Sequence, residues 1–331
     1  MKLIPNFKGY DLFPHDLRLP FMKYKGTALA ASIIAMVLSL VVFFTMGLNY
    51  GVDFKGGSII EVQSAAGPAD IHQLREKLNK LGLGAVQIQS FGGPTDVLIR
   101  VEQQPGPESA QQAALQKVVE ALGNQYVQRR VEVVGPAVSS ELRMTGFIAV
   151  AAGLLAIVAY VWFRFEWQFA VGAIVALTHD VLLTVGIFSL LQMEFDLSIV
   201  AALLTILGYS VNDTVVVSDR IRENLRKFKR MDLNELLNLS INETLSRTIL
   251  TGCTAIVVLV ALYLFGGEVI RNFNFAMLFG VVVGTYSSIF IAAPLLGYLG
   301  VKREWTGGQA ARPAKAAAGG KAQGAANVAL K

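Results

Sequence analysis

A long stretch without any charged side chain, Gly26–Val52, constrains the fold of this chain more than any other feature. The hydrocarbon core of a bilayer takes about 20 consecutive apolar residues of helix, and this stretch supplies them. With 16% charged residues, against roughly 25% in soluble domains, the whole chain is poor in charge. Five further apolar stretches are long enough to cross: Met144–Phe163, Phe169–Leu191, Leu197–Val217, Thr248–Gly267 and Phe273–Val301. We therefore predict six transmembrane helices and not the buried helices of a large soluble protein.

The first of these spans, placed at 27–48, resembles a secretory signal peptide only superficially. It begins after 25 residues and is followed by no small-x-small cleavage site, so we predict a retained anchor. We further predict a segment at 49–143 between the first two spans, five spans within 144–301, and a tail at 302–331. The tail consists almost only of Ala, Gly and Lys, which predicts disorder.

Lysine and arginine are distributed unevenly between the two sides of the predicted bundle. One side carries five in segment 1–26 and seven in segment 218–247, whereas the two short loops of the other side, 192–196 and 266–272, carry only Arg271. The positive-inside rule therefore predicts cytoplasmic termini and an extracytoplasmic 49–143 segment. Leucines recur at helical spacing after Met231, which favours an amphipathic helix on the inner leaflet, with a solvated loop as the alternative. The net charge of +5 is explained by this placement, so we predict no nucleic-acid partner.

The segment between the first two spans changes to short alternating elements. Strands are predicted at Ser58–Gln63, Ala85–Ser90, Asp96–Glu102 and Tyr126–Val134, with helices at 68–81 and from Pro107 to Leu122. The resulting order, β-α-β-β-α-β, is the ferredoxin-like split motif. It contains no nucleotide-binding, metal-binding or nucleophile pattern. We therefore predict a binding or coupling module with no catalytic residue, no cofactor and no metal.

The functional candidates lie inside the spans, where an ionised side chain is costly and marks function by default. Tyr209, Asn212 and Asp213 crowd the end of the fourth span, and Arg247 opens the fifth from the same side. A carboxylate that alternates between protonated and ionised, beside a cation and hydroxyls, suits a proton relay. His179 and Asp180 stand midway along the third span.

Structural explanations remain open for the same residues. Asp213 and Arg247 can form a static pair that fixes helix packing, and His179 can be a structural hydrogen-bonding residue. Gly280, Gly284 and Ser287–Ser288 are interpreted as close contacts between helices.

Several short motifs resemble the bacterial SecD/SecF family, and its SecF branch in particular. One follows the first span and contains Gly51, Asp53, Phe54, Gly56 and Gly57; a second precedes the next span and contains Gly135, Pro136, Glu141 and Leu142. His179–Asp180, Gly208–Asp213, Arg220–Asn224 and Asn242–Arg247 are also similar to that branch. Ser139 departs from the glycine common in the family, which puts the local backbone geometry there in question.

The resemblance implies a polytopic α-helical membrane protein: six helices, half of a resistance-nodulation-division-type transporter, with an inserted α+β ferredoxin-like extracytoplasmic domain. It implies a multi-pass subunit of the Sec translocase in the bacterial cytoplasmic membrane, where the proton-motive force drives late preprotein translocation through Asp213 and Arg247. The partners implied are SecD, the SecYEG channel with YajC or YidC, preproteins and membrane lipids. Two alternatives are a stand-alone exporter of small molecules or lipids and a passive scaffold of the translocase.

Overall fold

The computed structural model describes residues 19–84 and 86–301; the predicted tail at 302–331, most of segment 1–26 and Ala85 lie outside these ranges. A short 3₁₀ turn, Phe21–Tyr24, precedes the first long helix. In chain order the elements are α1 (Lys25–Met46), β1 (Asn49–Tyr50), α2 (Val52–Lys55), β2 (Gly57–Ser64), α3 (Ile71–Asn79), β3 (Val86–Phe91), β4 (Gly93–Glu102), α4 (Glu108–Leu122), β5 (Tyr126–Val134), α5 (Pro136–Arg164), α6 (Trp167–Leu191), β6 (Glu194–Phe195), α7 (Leu197–Lys227), α8 (Leu233–Phe265), α9 (Arg271–Ser287) and α10 (Ala293–Leu299).

Six helices are long and apolar enough to cross a membrane, as predicted. They are α1, α5, α6, α7, α8 and a last span in which α9 and α10 are joined by a π-helical turn, Ser288–Ala292. Small residues let the central helices approach closely. A Cβ atom on Gly280 of α9 would lie 2.3 Å from Ile206 of α7, and one on Gly284 would lie 3.0 Å from Ser210. The predicted contact role of both glycines is confirmed.

The inserted domain forms the predicted β-α-β-β-α-β pattern. Its four strands are antiparallel in the order β3-β4-β2-β5, and Ile60 of β2 pairs with Ile99 of β4 and Val131 of β5. The Asp70 carboxylate caps α3 by accepting a hydrogen bond of 3.0 Å from the Gln73 amide, which satisfies one otherwise unpaired donor. Helices α3 and α4 cover one face of the sheet around a core that includes Leu78 and Val118.

The other face of the sheet is turned toward the membrane bundle. Between them lies a cleft of about 540 Å³, bounded on the sheet side by Gln87, Arg100 and Glu132 and on the bundle side by Glu194 and Asp196. Strand β5 ends at Val134, and α5 begins two residues later with Pro136, whose fixed φ suits the first turn of a helix. The domain therefore stands directly on the second span.

The prediction of an amphipathic helix on the membrane surface within 218–247 is wrong. Helix α7 continues through the first part of this segment to Lys227, and the second part belongs to α8, one continuous helix of 33 residues. The leucines that suggested a membrane surface are buried in the protein: Leu236, Leu237 and Ile241 are at most 1% exposed and pack against α7 and α10. At 1.5 Å per residue, α8 is about 50 Å long, so it extends beyond a hydrocarbon core of about 30 Å.

Candidate functional site

Asp213 lies on the buried face of α7 and meets two hydroxyl groups. Thr248 of α8 donates a hydrogen bond of 2.5 Å to Oδ1, and Ser288 of the π-helical turn donates to Oδ2. All three side chains are buried. Hydrogen bonds to an ionised group are stronger than neutral ones, so these two donors stabilise the carboxylate within the bundle.

Asp180 is fully buried on α6 and has a larger set of donors. Its Oδ2 accepts from Ser210 of α7 at 2.6 Å and from Ser287 of α9 at 2.8 Å. Its Oδ1 lies 2.9 Å from Nδ1 of His179, and the Nε2 atom of this histidine is buried without a hydrogen-bond partner among the described residues. The Asp180 carboxylate therefore links α6, α7 and the last span through hydrogen bonds and also contacts the His179 ring.

Two consecutive residues of the last span connect the carboxylates, because Ser287 donates to Asp180 and Ser288 to Asp213. The Cα atoms of neighbouring residues are about 3.8 Å apart, so one short backbone segment contacts both acids. That segment is where the regular helix changes to a π-helical turn, a feature frequent at functional sites. The site is thus one cluster across α6, α7, α8 and the last span.

Each of these serines has a second acceptor available. The Ser287 hydroxyl lies 3.1 Å from the Gly284 carbonyl oxygen, and the Ser288 hydroxyl lies 3.0 Å from the Thr285 carbonyl oxygen. A hydroxyl has one proton to donate and two lone pairs that accept. When a carboxylate is protonated, its serine can accept the new O–H and turn its own proton to the carbonyl. Ser287 and Ser288 can therefore keep a hydrogen-bond partner in either protonation state of their acids.

The other predicted site residues occupy different positions. Arg247 is exposed on α8 and forms no ion pair within 4.0 Å with Asp213; it acts on this carboxylate only at longer range. The expected direct contact with a cation is replaced by hydroxyl contacts. Tyr209 is half-buried, and its hydroxyl lies beside Gly252 and interacts with Thr251 and Thr285. Asn212 is exposed. His179 lies in the cluster, as described above.

The motif after the first span touches the helix that carries Asp213. The Asp53 carboxylate accepts a hydrogen bond of 2.9 Å from the Leu197 amide, at the first residue of α7. Asp196 accepts another from the Ile199 amide at 3.1 Å. Carboxylates stabilise a helix N-terminus by pairing its free amides and by opposing its dipole. The segment leading into the sheet domain is thereby fixed to α7.

Strands β1 and β6 extend this contact as a parallel pair, in which Asn49 pairs with Glu194 and Tyr50 with Phe195. Gly51 permits it, since a Cβ atom there would lie 2.8 Å from the Glu194 carboxylate. Phe54 is 3% exposed and packs against Phe195. We name the whole contact, β1, α2, β6 and the start of α7, the junction.

The remaining motif residues have structural explanations. Gly57 has φ +121°, and a Cβ atom would lie 2.5 Å from the Val101 carbonyl oxygen of β4, so close strand approach requires glycine. Gly56 lies against Gln103 and Ser139. In the second motif, Gly135 and Pro136 begin α5, Leu142 is half-buried and Glu141 is exposed. Ser139 does not disturb the backbone: it is helical, and its hydroxyl donates to the Pro136 carbonyl oxygen at 3.1 Å.

An ion pair between Arg100 of β4 and Glu194 of β6 ties the sheet itself to the junction. Burial is the strongest influence on Glu194 and raises the pKa of its carboxyl above the ordinary 4.5, and the nearby Asp196 and Asp53 raise it further. The Arg100 guanidinium lowers the pKa of Glu194, but it does not offset the increase caused by burial and the two acids. Burial also raises the pKa of Asp196.

These shifts predict a pH dependence of the junction. A carboxyl whose pKa is higher in the folded state binds its proton more tightly there, so stability falls as the pH rises from 4.5 through the raised pKa. We expect mild acidification from neutral pH to protect the Gly51 amide, which donates to the Phe195 carbonyl oxygen, more strongly against hydrogen exchange. Glu194→Gln should flatten this dependence of the protection factor, whereas Glu132→Gln, a half-buried control on the sheet side of the cleft, should keep it. An unchanged pH profile in Glu194→Gln would contradict the assignment.

Six spans, an inserted sheet domain and carboxylates buried among hydroxyls define a helical membrane transport protein. The model of the family "Protein export membrane protein SecD/SecF, C-terminal" matches residues 114–302, and that of the "SecD/SecF GG Motif" matches residues 41–66. The chain belongs to the SecD/SecF family.

Similar proteins extend over most of the chain. The protein translocase subunit SecF of Cereibacter sphaeroides is 46% identical over 88% of this chain and 93% of its own length. The protein translocase subunit SecDF of Brucella abortus is 43% identical over 90% of this chain but only 40% of its own length. The crystal structure of SecDF from Thermus thermophilus superposes with a TM-score of 0.77 at 36% identity, covering 87% of this chain and 39% of that one. The likeness therefore covers both the spans and the sheet domain.

Proposed function

We propose that this chain is a SecF-type subunit of the protein translocase, and that with a SecD-type partner it uses the proton-motive force to promote late stages of preprotein translocation. Family membership and the high coverage of SecF relatives support the export role. The observation that carries the coupling mechanism is the hydroxyl-linked pair of buried carboxylates, Asp180 and Asp213.

The need for a partner half is supported by the lengths of the relatives and by the surface near Asp213. The SecDF proteins are more than twice the length that this chain matches. Polar and small residues are exposed next to the site: Thr205, Gly208 and Asn212 on α7 and Arg247 and Thr251 on α8. Small and polar residues on a membrane helix favour contact with another helix over contact with lipid. A SecD-type half placed there would enclose Asp213 and bring Arg247 out of contact with lipid.

The cation distribution supports an orientation with both termini in the cytoplasm and the sheet domain outside, in the bacterial cytoplasmic membrane. In this orientation Asp213 lies in the cytoplasmic half of the predicted span Leu197–Val217, and the Asp53 contact lies at the outer end of α7. A translocation channel in the same membrane, such as SecYEG, would then lie beside the helix bundle, and preprotein segments on the outer side would meet the sheet domain.

Proton transfer in this proposal follows the chemistry of the cluster. A proton taken up by a carboxylate reverses the hydrogen bond of its serine, which turns toward the Gly284 or Thr285 carbonyl oxygen. Since both serines belong to one backbone segment, the reversal changes how the last span is held against α6 and α7. Through α7 and Asp53, that change reaches the junction and the sheet domain.

Removing one of these hydroxyls should impair coupling. In Ser288→Ala, Asp213 loses a donor to its ionised form, a loss of about 1–3 kcal/mol for a buried group. We expect gradient-driven export to fall roughly tenfold, with ATP-driven export unchanged, as measured by precursor protection in membrane vesicles. Ser288→Thr, which keeps a hydroxyl, should retain most of the activity. Wild-type gradient response in Ser288→Ala would exclude this hydroxyl from the path.

The export role itself is tested by complementation. Cells depleted of their own SecF-type subunit should regain normal precursor processing when they express this chain together with its SecD-type partner, and the two chains should copurify. Restored processing that disappears when an uncoupler dissipates the gradient supports the full proposal. Normal behaviour of the chain in the absence of any SecD-type partner would favour a stand-alone exporter.

A further inference from the structure

A groove opens on the lateral surface of the bundle, on the side of the membrane that carries the sheet domain. Helix α1 packs against α6, and α5 packs against α6 and α7, so α1 and α5 flank an opening over the two central helices. The groove has a volume of about 280 Å³ and is almost entirely apolar. We call it the lateral groove; its lining includes Phe43, Phe54, Phe147, Val150, Val185 and Leu203, with Arg143 at its mouth.

Arg143 is the polar exception in this lining. It lies two turns into α5, near the level where the helix enters the membrane, and its side chain is exposed. Within residues 19–84 and 86–301 it has no hydrogen-bond or ion-pair partner. At the other end of the same helix, Arg164 lies 3.8 Å from Asp219 and over the ring of Phe165. A guanidinium at a membrane boundary is stabilised by an anion, and its planar donor fork matches phosphate oxygens.

We propose that the lateral groove binds one anionic phospholipid, with an acyl chain in the apolar channel and the phosphate on Arg143. The volume suits a single chain and lies near the lower end of ligand pockets, about 300 Å³. The described residues that line the groove include no Asp or Glu, so the headgroup ammonium of a zwitterionic lipid finds no counter-charge there. An anionic headgroup is therefore preferred.

A polypeptide occupant fits this groove less well. An extended segment would bring backbone N–H and C=O groups that the apolar walls cannot pair, at a cost of several kcal/mol for each buried group. A helix, with a diameter of about 10 Å, needs a wider surface than a channel for one chain. The medium that reaches a lateral opening between two spans is lipid, so the occupant is supplied by the bilayer itself.

The site is separate from the carboxylate cluster, but it rests on the same helices. Val181 and Val185 of α6 form part of its floor, one and five residues after Asp180, and Val200 and Leu203 of α7 form another part. Phe54 and Tyr50 of the junction close its upper end. A bound chain would therefore fill the space beneath the junction and pack against α6 and α7.

The test is native mass spectrometry of the full chain, purified with its SecD-type partner, after exchange into mixtures of phosphatidylglycerol and phosphatidylethanolamine. We expect retention of one phosphatidylglycerol, with occupancy reduced about tenfold in Arg143→Gln because a charge-assisted hydrogen bond is lost. Arg143→Lys should lie between these values, and Val150→Phe, which fills the groove, should also reduce retention. Arg164→Gln is the matched control from the opposite end of α5 and should behave as wild type.

Three results would overturn the proposal: undiminished phosphatidylglycerol in Arg143→Gln, equal retention of phosphatidylethanolamine by the wild type, or capture of the partner protein instead of lipid by a photo-crosslinker at position 147. Arg143 is exposed, so its substitution should leave folding intact, and the thermal unfolding temperature of each variant verifies this. Because the readout is lipid retention, it does not depend on the proposed role in proton-driven export.

Discussion

Asp213→Asn should abolish proton-driven export while the protein remains folded. Asparagine has the shape of the protonated acid: its carbonyl oxygen can accept from Thr248, and its amide can donate to Ser288, which then turns to the Thr285 carbonyl oxygen. The variant therefore resembles the protonated acid permanently and cannot bind or release a proton. Removing a buried charge also leaves stability equal or higher.

The measurement is precursor translocation in membrane vesicles with an imposed proton gradient, compared with the same vesicles after an uncoupler. Asp213→Asn should match the uncoupled wild type under both conditions, and ATP-driven translocation should be unaffected. Asp219→Asn is the matched control, since this carboxylate lies on the same helix but is exposed and pairs with Arg164, at 3.8 Å. Gradient-driven export that survives in Asp213→Asn would identify Asp213 as a static packing residue and the chain as a passive scaffold.

Asp180→Asn should produce a loss of similar size at a different point of the cluster. An amide at this position can still interact with Ser210, Ser287 and His179, so the contacts between α6, α7 and α9 persist. It cannot bind and release a proton. We expect gradient-driven export to fall at least tenfold, with an unchanged unfolding temperature.

The decisive comparison is between activity and stability. If Asp180 only holds helices together, Asp180→Asn should keep its activity, and Asp180→Ala should lose stability because Ser210 and His179 lose their partner and Ser287 keeps only the Gly284 carbonyl oxygen. If Asp180 carries protons, both variants should be inactive although only the second is destabilised. Asp180→Glu, which keeps the acid, should recover part of the activity.

The spans and the sheet domain could be predicted because each depends on patterns local in sequence. Apolar length alone defines a membrane helix, and alternation with turn residues defined β5 as Tyr126–Val134, the same range as in the structure. The amphipathic stretch after Met231 was misplaced for a physical reason: an apolar face has the same pattern whether it meets lipid or another helix. Here it meets the protein's own core.

The acids of the site could be predicted, but their partners could not. A carboxylate within a span is conspicuous because it is costly, whereas Ser210, Thr248, Ser287 and Ser288 are ordinary in membrane helices, where hydroxyls also pair with the backbone. Which hydroxyl faces which acid depends on the rotation and depth of four helices. The junction was missed for a similar reason, since β1 and β6 are two residues each and pair across more than 140 positions.

The length of α7 determines how large a movement the contact between Asp53 and Leu197 can transmit. Its 31 residues form a continuous helix about 47 Å long, held at one end by Asp53 and near the other by the ion pair of Arg220 with Glu243 of α8. A rigid rod of this length that tilts by about 5° around its centre moves each end by about 2 Å. Because Asp213 lies one residue from the centre of this helix, a tilt of this size set by its protonation would move the Asp53 contact at the base of the sheet domain by about 2 Å, with no flexible linker in the path to absorb it.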